Sequence, residues 1–221
     1  MADVSKYYIC IQITKKGITM AFFESVWEGV KATSMIEWGA VLSSVIYVVL
    51  ASRRSIYCWV FAFLGSSLFV YMCFNAQLYI ESILQLFYVV MAIVGWLMWK
   101  KSENDDQSIK KWSFKIHFIN VFLSGIAAVV LGYMFDTYTE QANPYVDAFT
   151  TCYSLLATFM VTKKVLGNWV YWIVIDLVSI YLYAQRGFNL TAFQYGIFTI
   201  LAVYGFMAWL KEYNRQLEEQ V

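Results

Sequence analysis

Two stretches of this 221-residue chain, 55–80 and 187–210, contain no formally charged residue. As helices, each is long enough to span the roughly 30 Å of hydrocarbon in a bilayer. A soluble helical domain needs charged outer faces, and these segments have none to offer. Across the chain 61% of residues are hydrophobic and 14% are charged, where an average soluble protein has about 25% charged. The mean hydropathy of +0.57 agrees. The chain reads as an all-α protein that crosses a membrane several times.

The pattern predicts seven spans, at 35–51, 56–75, 79–99, 115–136, 145–162, 168–184 and 190–210. The links 52–55, 163–167 and 185–189 are only a few residues long, which forces antiparallel neighbours and a compact bundle. Pro144, the only proline, fits the first turn of the fifth span. The chain divides into an N-terminal extension and interfacial segment (1–33), a seven-helix domain (34–211) and a tail (212–221).

With seven crossings, one side of the membrane collects Arg53, Arg54, Lys100, Lys101, Lys110, Lys111, Lys115, Lys163, Lys164, Lys211 and Arg215. The other side has Lys31 and Arg186, plus Lys6, Lys15 and Lys16. The positive-inside rule makes the first side cytoplasmic, with the N-terminus outside and the C-terminus inside. Residues 1–19 carry three of the outer positive charges and lack the apolar core and cleavage site of a signal peptide. Either translation starts at Met20 or these residues form an extension. In the segment that follows, Phe22, Phe23, Val26 and Trp27 can lay one face of a short helix on the membrane surface.

Several function classes lose their footing here. A net charge of +1, with the basic residues scattered through short loops, gives no reason to expect a nucleic-acid partner. Cys10, Cys58, Cys73 and Cys152 form no CxxC pair and no metal spacing, so neither a disulfide nor a metal is expected. His117, the single histidine, reads as an interfacial residue near Lys115. A retinal photoreceptor needs a lysine in its last helix, and 187–210 has none. An intramembrane enzyme needs a His cluster, paired aspartates or an activated serine, and only isolated carboxylates are present. No cofactor is implied.

Sliding the chain by about 110 residues lays the first three spans on the last three. Glu37 meets Asp147, Ser44 meets Ser154, Arg53-Arg54 meets Lys163-Lys164, and Trp59 meets Trp169. Tyr71 then meets Tyr181, Gly95 meets Gly205, Trp99 meets Trp209 and Lys101 meets Lys211. An odd fourth span must separate the halves to keep both copies in one orientation. This predicts two parallel three-helix repeats around a connector (3+1+3, SWEET-like), with a substrate site between the halves near the midplane. Ser124, Ala128 and Gly132 give the connector a small-residue packing face.

Asp176 is the only side chain between Lys164 and Arg186 that is charged at neutral pH. A carboxylate within a span costs a few kcal/mol and normally marks a ligand or ion pathway. Asn168, Trp172 and Asp176 are four residues apart and share one helix face. On the third span Glu81, Gln85 and Tyr88 share another. Measured from opposite ends at about 1.5 Å per residue, Gln85 lies roughly 9 Å deep and Asp176 roughly 12 Å deep. Trp59 and Trp172 can add faces for stacking or cation–π contact. The candidate substrate site is thus Trp59, Gln85, Tyr88, Asn168, Trp172 and Asp176, suited to a flat aromatic ligand with a positive charge. The competing reading places most aromatics, 19% of the chain, in interfacial belts. Trp99 and Trp209, beside lysines at span ends, are expected there, and Trp169 with them.

The stretch NWVYWIVIDLVSIYLYAQRGFNLTAFQYGIFTILAVYGFMAWLK resembles the PnuC-type nicotinamide riboside transporters of the Pnu vitamin transporter family. IEWGAVLSSVIYVVLASRR, YCWVFAFLGSSLFVYMCFNAQLY and LQLFYVVMAIVGWLMW extend the likeness, which runs from about Ser34 to Lys211. The NW-x-x-W and LQ-x-FY blocks are its most specific parts. The resemblance implies seven helices with a duplicated three-helix fold in a bacterial inner membrane. It also implies uptake of nicotinamide riboside by facilitated diffusion, drawn inward by intracellular phosphorylation. Related members carry thiamine, also an aromatic cation. Gln85 fits the riboside branch, whereas Asp176, where some members have an amide, leaves room for thiamine and for proton coupling. A homo-oligomer is left open.

Overall fold

The computed structural model describes residues 20–75, 79–102, 108–139 and 143–219, apart from the side chains of 79–81 and 102. Residues 1–19 and the side chain of Glu81 lie outside the described residues. The described chain is almost wholly helical. It comprises α1 (20–32), α2 (Met35–Ser52), α3 (Cys58–Asn75), α4 (Tyr79–Ser102), α5 (Phe114–Tyr138), α6 (Pro144–Thr162), α7 (Asn168–Gln185) and α8 (Asn189–Glu218). Ser34 caps α2 by accepting from the Glu37 amide at 3.2 Å, and Pro144 occupies the first turn of α6.

α2, α3, α4, α5 and α8 are long and apolar enough to cross a membrane. α6 and α7 are more polar. α6 carries Asp147, Thr150, Ser154 and Thr158, and α7 carries Asn168 and Asp176. More of their residues are buried than in any other described helix. Protein neighbours, which can satisfy polar groups, cover one face of each, while Val170, Val174, Leu177 and Tyr181 keep an apolar face of α7 exposed.

The packing order is a ring. α3 packs on α2 and α4, and α7 packs on α6 and α8. α4 then meets α6, and α8 meets α2, which closes the six helices on themselves. The 110-residue shift carries α2 onto α6, α3 onto α7 and α4 onto α8. The two closing seams are therefore one contact made twice. Among the described residues α5 packs chiefly on α6. It also reaches α7 through His117, whose Nδ1 lies 3.1 Å from the Tyr171 hydroxyl.

The duplication extends to backbone detail. α2 ends with Arg54 at φ 57°, with Ser55 N donating to Leu50 O and Arg54 N to Ala51 O. α6 ends with Lys164 at φ 53°, with Val165 N donating to Met160 O and Lys164 N to Val161 O. Both are Schellman turns whose left-handed position holds a long basic residue where glycine is usual. Arg54 is held by an ion pair to Glu212 at 3.1 Å, and the Lys164 ammonium lies 5.3 Å from the Trp99 ring centroid.

The tryptophans require a correction. Trp99, Trp169 and Trp209, expected in interfacial belts, are buried with Trp59 in one cluster. Trp59 meets Trp99 edge to face at 5.4 Å, and Trp169 meets Trp209 in the same way at 5.5 Å. Trp99 Nε1 donates to the α6 carbonyls of Val161 and Thr162 at 3.3 and 3.2 Å, and Trp209 Nε1 donates to Ala51 O of α2 at 3.1 Å. The seams bury these rings because the ends of α4 and α8 tuck against the ends of α6 and α2. Adjacent lysines are no guide to that.

At the other end of the bundle, Arg186 holds Asp147 with a two-pronged ion pair at 2.6 and 3.2 Å. α1 docks there on the start of α8. Ser25 accepts from Asn189 Nδ2 at 2.9 Å, Gly29 lies against Leu190, and Val26 is buried. Phe23 and Trp27 face outward.

Candidate functional site

The interior of the ring is lined by one group from each of its six helices. Tyr47 of α2 packs on Trp59 of α3 with ring centroids 6.0 Å apart. Tyr47 is also within electrostatic reach of Tyr88 on α4, and Tyr88 lies beside Ser154 of α6. Tyr195 of α8 lies within the same reach of Tyr88 and of Asp176 on α7. α4 makes no helix contact with α2 or α8 among the described residues. Tyr88 can approach Tyr47 and Tyr195 only across the inside of the ring.

Asp176 is buried at 3% exposure, and none of the ion pairs among the described residues includes it. An interior carboxylate without a cation is costly unless a ligand's charge balances it. Its aromatic neighbours provide apolar faces with hydroxyl tips, which suits a flat, polar ring.

The six residues expected at the site fall at two levels. Asp176 and Tyr88 converge around Tyr195, and Gln85 stands half-buried three residues from Tyr88 on α4. Trp172 packs against the tryptophan cluster, of which Trp59 is a member at 2% exposure. Asn168 lies beyond them at the start of α7, where Nδ2 donates to Val165 O at 2.7 Å. Its Oδ1 is buried without a hydrogen bond, as are the Trp59 and Trp169 indole nitrogens.

Sequence reasoning missed Tyr47, Ser154, Tyr183 and Tyr195. Tyr195 had a usable signal, because the 110-residue shift lays it on Gln85. Tyr183 stacks on Tyr195 with ring centroids 5.3 Å apart and planes 12° from parallel.

The described chain is a multi-pass helical membrane protein whose six-helix ring encloses a carboxylate among aromatic rings. Residues 34–211 match the family described as nicotinamide mononucleotide transporter, and the chain belongs to that family. Nicotinamide riboside transporter PnuC of Escherichia coli is 25% identical over 204 residues, which is 80% of this chain and 85% of its own. Riboflavin/roseoflavin transporter RibM of Streptomyces davaonensis is 22% identical over 182 residues, 79% of this chain and 85% of its own. The crystal structure of the vitamin B3 transporter PnuC superposes with a TM-score of 0.69 at 22% identity. It covers 89% of this chain and 92% of that one, and shows the shared fold.

Proposed function

We propose that this protein carries nicotinamide riboside across a bacterial inner membrane by facilitated diffusion, with intracellular phosphorylation trapping the imported vitamin. The observation that carries the reading is Asp176, an interior carboxylate with no ion pair among the described residues, within electrostatic reach of the Tyr195 ring of α8. Nicotinamide riboside pairs a flat ring with a fixed positive charge. The PnuC relative is named for that substrate. Trp59, Gln85, Tyr88, Asn168, Trp172 and Asp176 line the proposed path, with Asp176 opposing the ring's charge.

The architecture proposed for this task is seven crossings, arranged as two parallel three-helix repeats (α2–α4 and α6–α8) around the connector α5. The two repeat-related seams and the paired Schellman turns support it. In this proposal residues 1–33 are an N-terminal extension and interfacial segment, 34–211 the transporter and 212–221 a tail. The N-terminus lies outside and the C-terminus inside, as the loop charges favour. No catalytic step is part of this function.

The test is counterflow in liposomes. Purified protein should exchange labelled nicotinamide riboside without a pH gradient, and in preference to thiamine or riboflavin. Preferential exchange of either competitor would assign another vitamin. A strict requirement for a pH gradient would replace facilitation with proton coupling.

A further inference from the structure

The link between α4 and α5 contains a strap, 108–113, outside the interior site. Lys110 N donates to Lys164 O, and Leu166 N donates back to Lys110 O, both at 2.9 Å. This parallel bridge ties the strap to the α6–α7 turn. Ile109 N donates to the side-chain Oε1 of Gln216 on α8 at 3.0 Å. Ile109, at 3% exposure, is the strap's one buried residue, and it belongs to the tryptophan cluster. That cluster takes members from all six ring helices: Ala51, Trp59, Trp99, Val161, Trp169 and Trp209. It fills the interior at the end where the basic loops lie, and Ile109 completes it from the strap.

The 110-residue shift finds no second strap, because Ile109 falls on Glu219, past the end of α8. The α2–α3 turn is instead tied to α8 by the Arg54–Glu212 ion pair. A short segment with one buried side chain can part without unfolding a ring helix. From this geometry we infer that the 108–113 strap is a latch over the basic end of the ring. It must release α8 and the α6–α7 turn before a solute can pass there. The inference rests on the transport reading for what passes, whereas the latch itself is a property of the fold.

Cys58, fully buried in the same cluster, is a built-in reporter. With Cys10→Ser, Cys73→Ser and Cys152→Ser in place, its reaction with N-ethylmaleimide in purified protein follows opening of that end. Gln216→Met removes the acceptor for Ile109 N at similar size, and should speed labelling roughly two- to ten-fold, as for one neutral hydrogen bond. Ile109→Ala, which leaves Gln216 in place, should act in the same direction. A cysteine placed by Ala192→Cys, buried at the opposite end, should label no faster in either background. Unchanged Cys58 labelling in both variants, or equal acceleration at both ends, would overturn the inference. A second arm bridges Ile109→Cys and Gln216→Cys with a short bis-methanethiosulfonate reagent. Counterflow of nicotinamide riboside should stop on bridging and return on reduction. Full exchange through the bridged protein would overturn the latch and leave the transport reading intact. No exchange by wild type would overturn the transport reading, while the labelling still decides the latch.

Discussion

The rings of Trp99 and Trp209 meet with centroids 6.5 Å apart, although the residues are 110 positions apart in sequence. Each bonds a carbonyl on the other half of the ring: Trp99 at the end of α6, and Trp209 at the end of α2. Two copies of a three-helix unit thus hold each other by the same side chain used twice. Trp99→Phe and Trp209→Phe each remove one indole N–H donor, shared by two carbonyls for Trp99 and given to one for Trp209, at a net cost of about 0.5–1.5 kcal/mol plus lost packing. Thermal unfolding in detergent should fall by similar amounts in both. A loss confined to one variant would show that the seams are not equivalent.

The same symmetry makes two glycines sensitive. A Cβ on Gly95 would sit 2.4 Å from the Trp59 ring, and one on Gly205 would sit 2.6 Å from the Trp169 ring. Those rings are buried and backed by other rings, so they have little room to yield. Gly95→Ala and Gly205→Ala should each cost about 1–3 kcal/mol by overpacking. Gly196→Ala, where the added Cβ meets nothing within 4 Å, is the control and should be neutral or slightly stabilising.

How much of this was legible follows from where each signal lies. All seven expected spans became helices, because an apolar run bounded by short polar or charged links shows up along the chain itself. The end of α8 was missed. The polar run to Glu218 stays helical where Arg215 pairs with Glu212 and Glu219, and Gln216 accepts from the Ile109 amide. The repeat was readable because its tryptophans and basic pairs mark turns and seams used twice. Burial of Trp99 and Trp209 was not, since it depends on which helices meet. Asp176 stood out alone, whereas Tyr195, one of 17 tyrosines, was noticeable only through its repeat partner Gln85.

Glu212 predicts a pH dependence at the seam. The hydrogen bond from Arg215, aided by the charges of Arg54 and Arg215, holds its carboxyl below the ordinary value of 4.5 despite partial burial. A carboxylate with a depressed folded-state pKa contributes stability that is present above 4.5 and is lost as pH falls through the lowered value. Thermal stability of Glu212→Gln should lie below wild type at pH 7, and the two should converge on acidification. Parallel curves throughout would mean that the charge of Glu212 contributes nothing to stability.

The loop charges predict topology. A cysteine introduced within 104–107 should react with a membrane-impermeant thiol reagent only after cells are permeabilised. Labelling of intact cells would reverse the orientation.

The central claim is that Asp176 reads the positive charge of the transported vitamin, and one comparison tests it directly. Asp176→Asn keeps size and some hydrogen bonding but removes the charge. Affinity of the purified variant for cationic nicotinamide riboside should fall about ten- to a hundred-fold, the loss of a charge-assisted contact of roughly 1.5–3 kcal/mol. Affinity for the uncharged reduced riboside should change far less. Equal losses for the two ligands, or no loss for either, would contradict the account. Equal losses would leave Asp176 a structural residue, and no loss would remove it from the site.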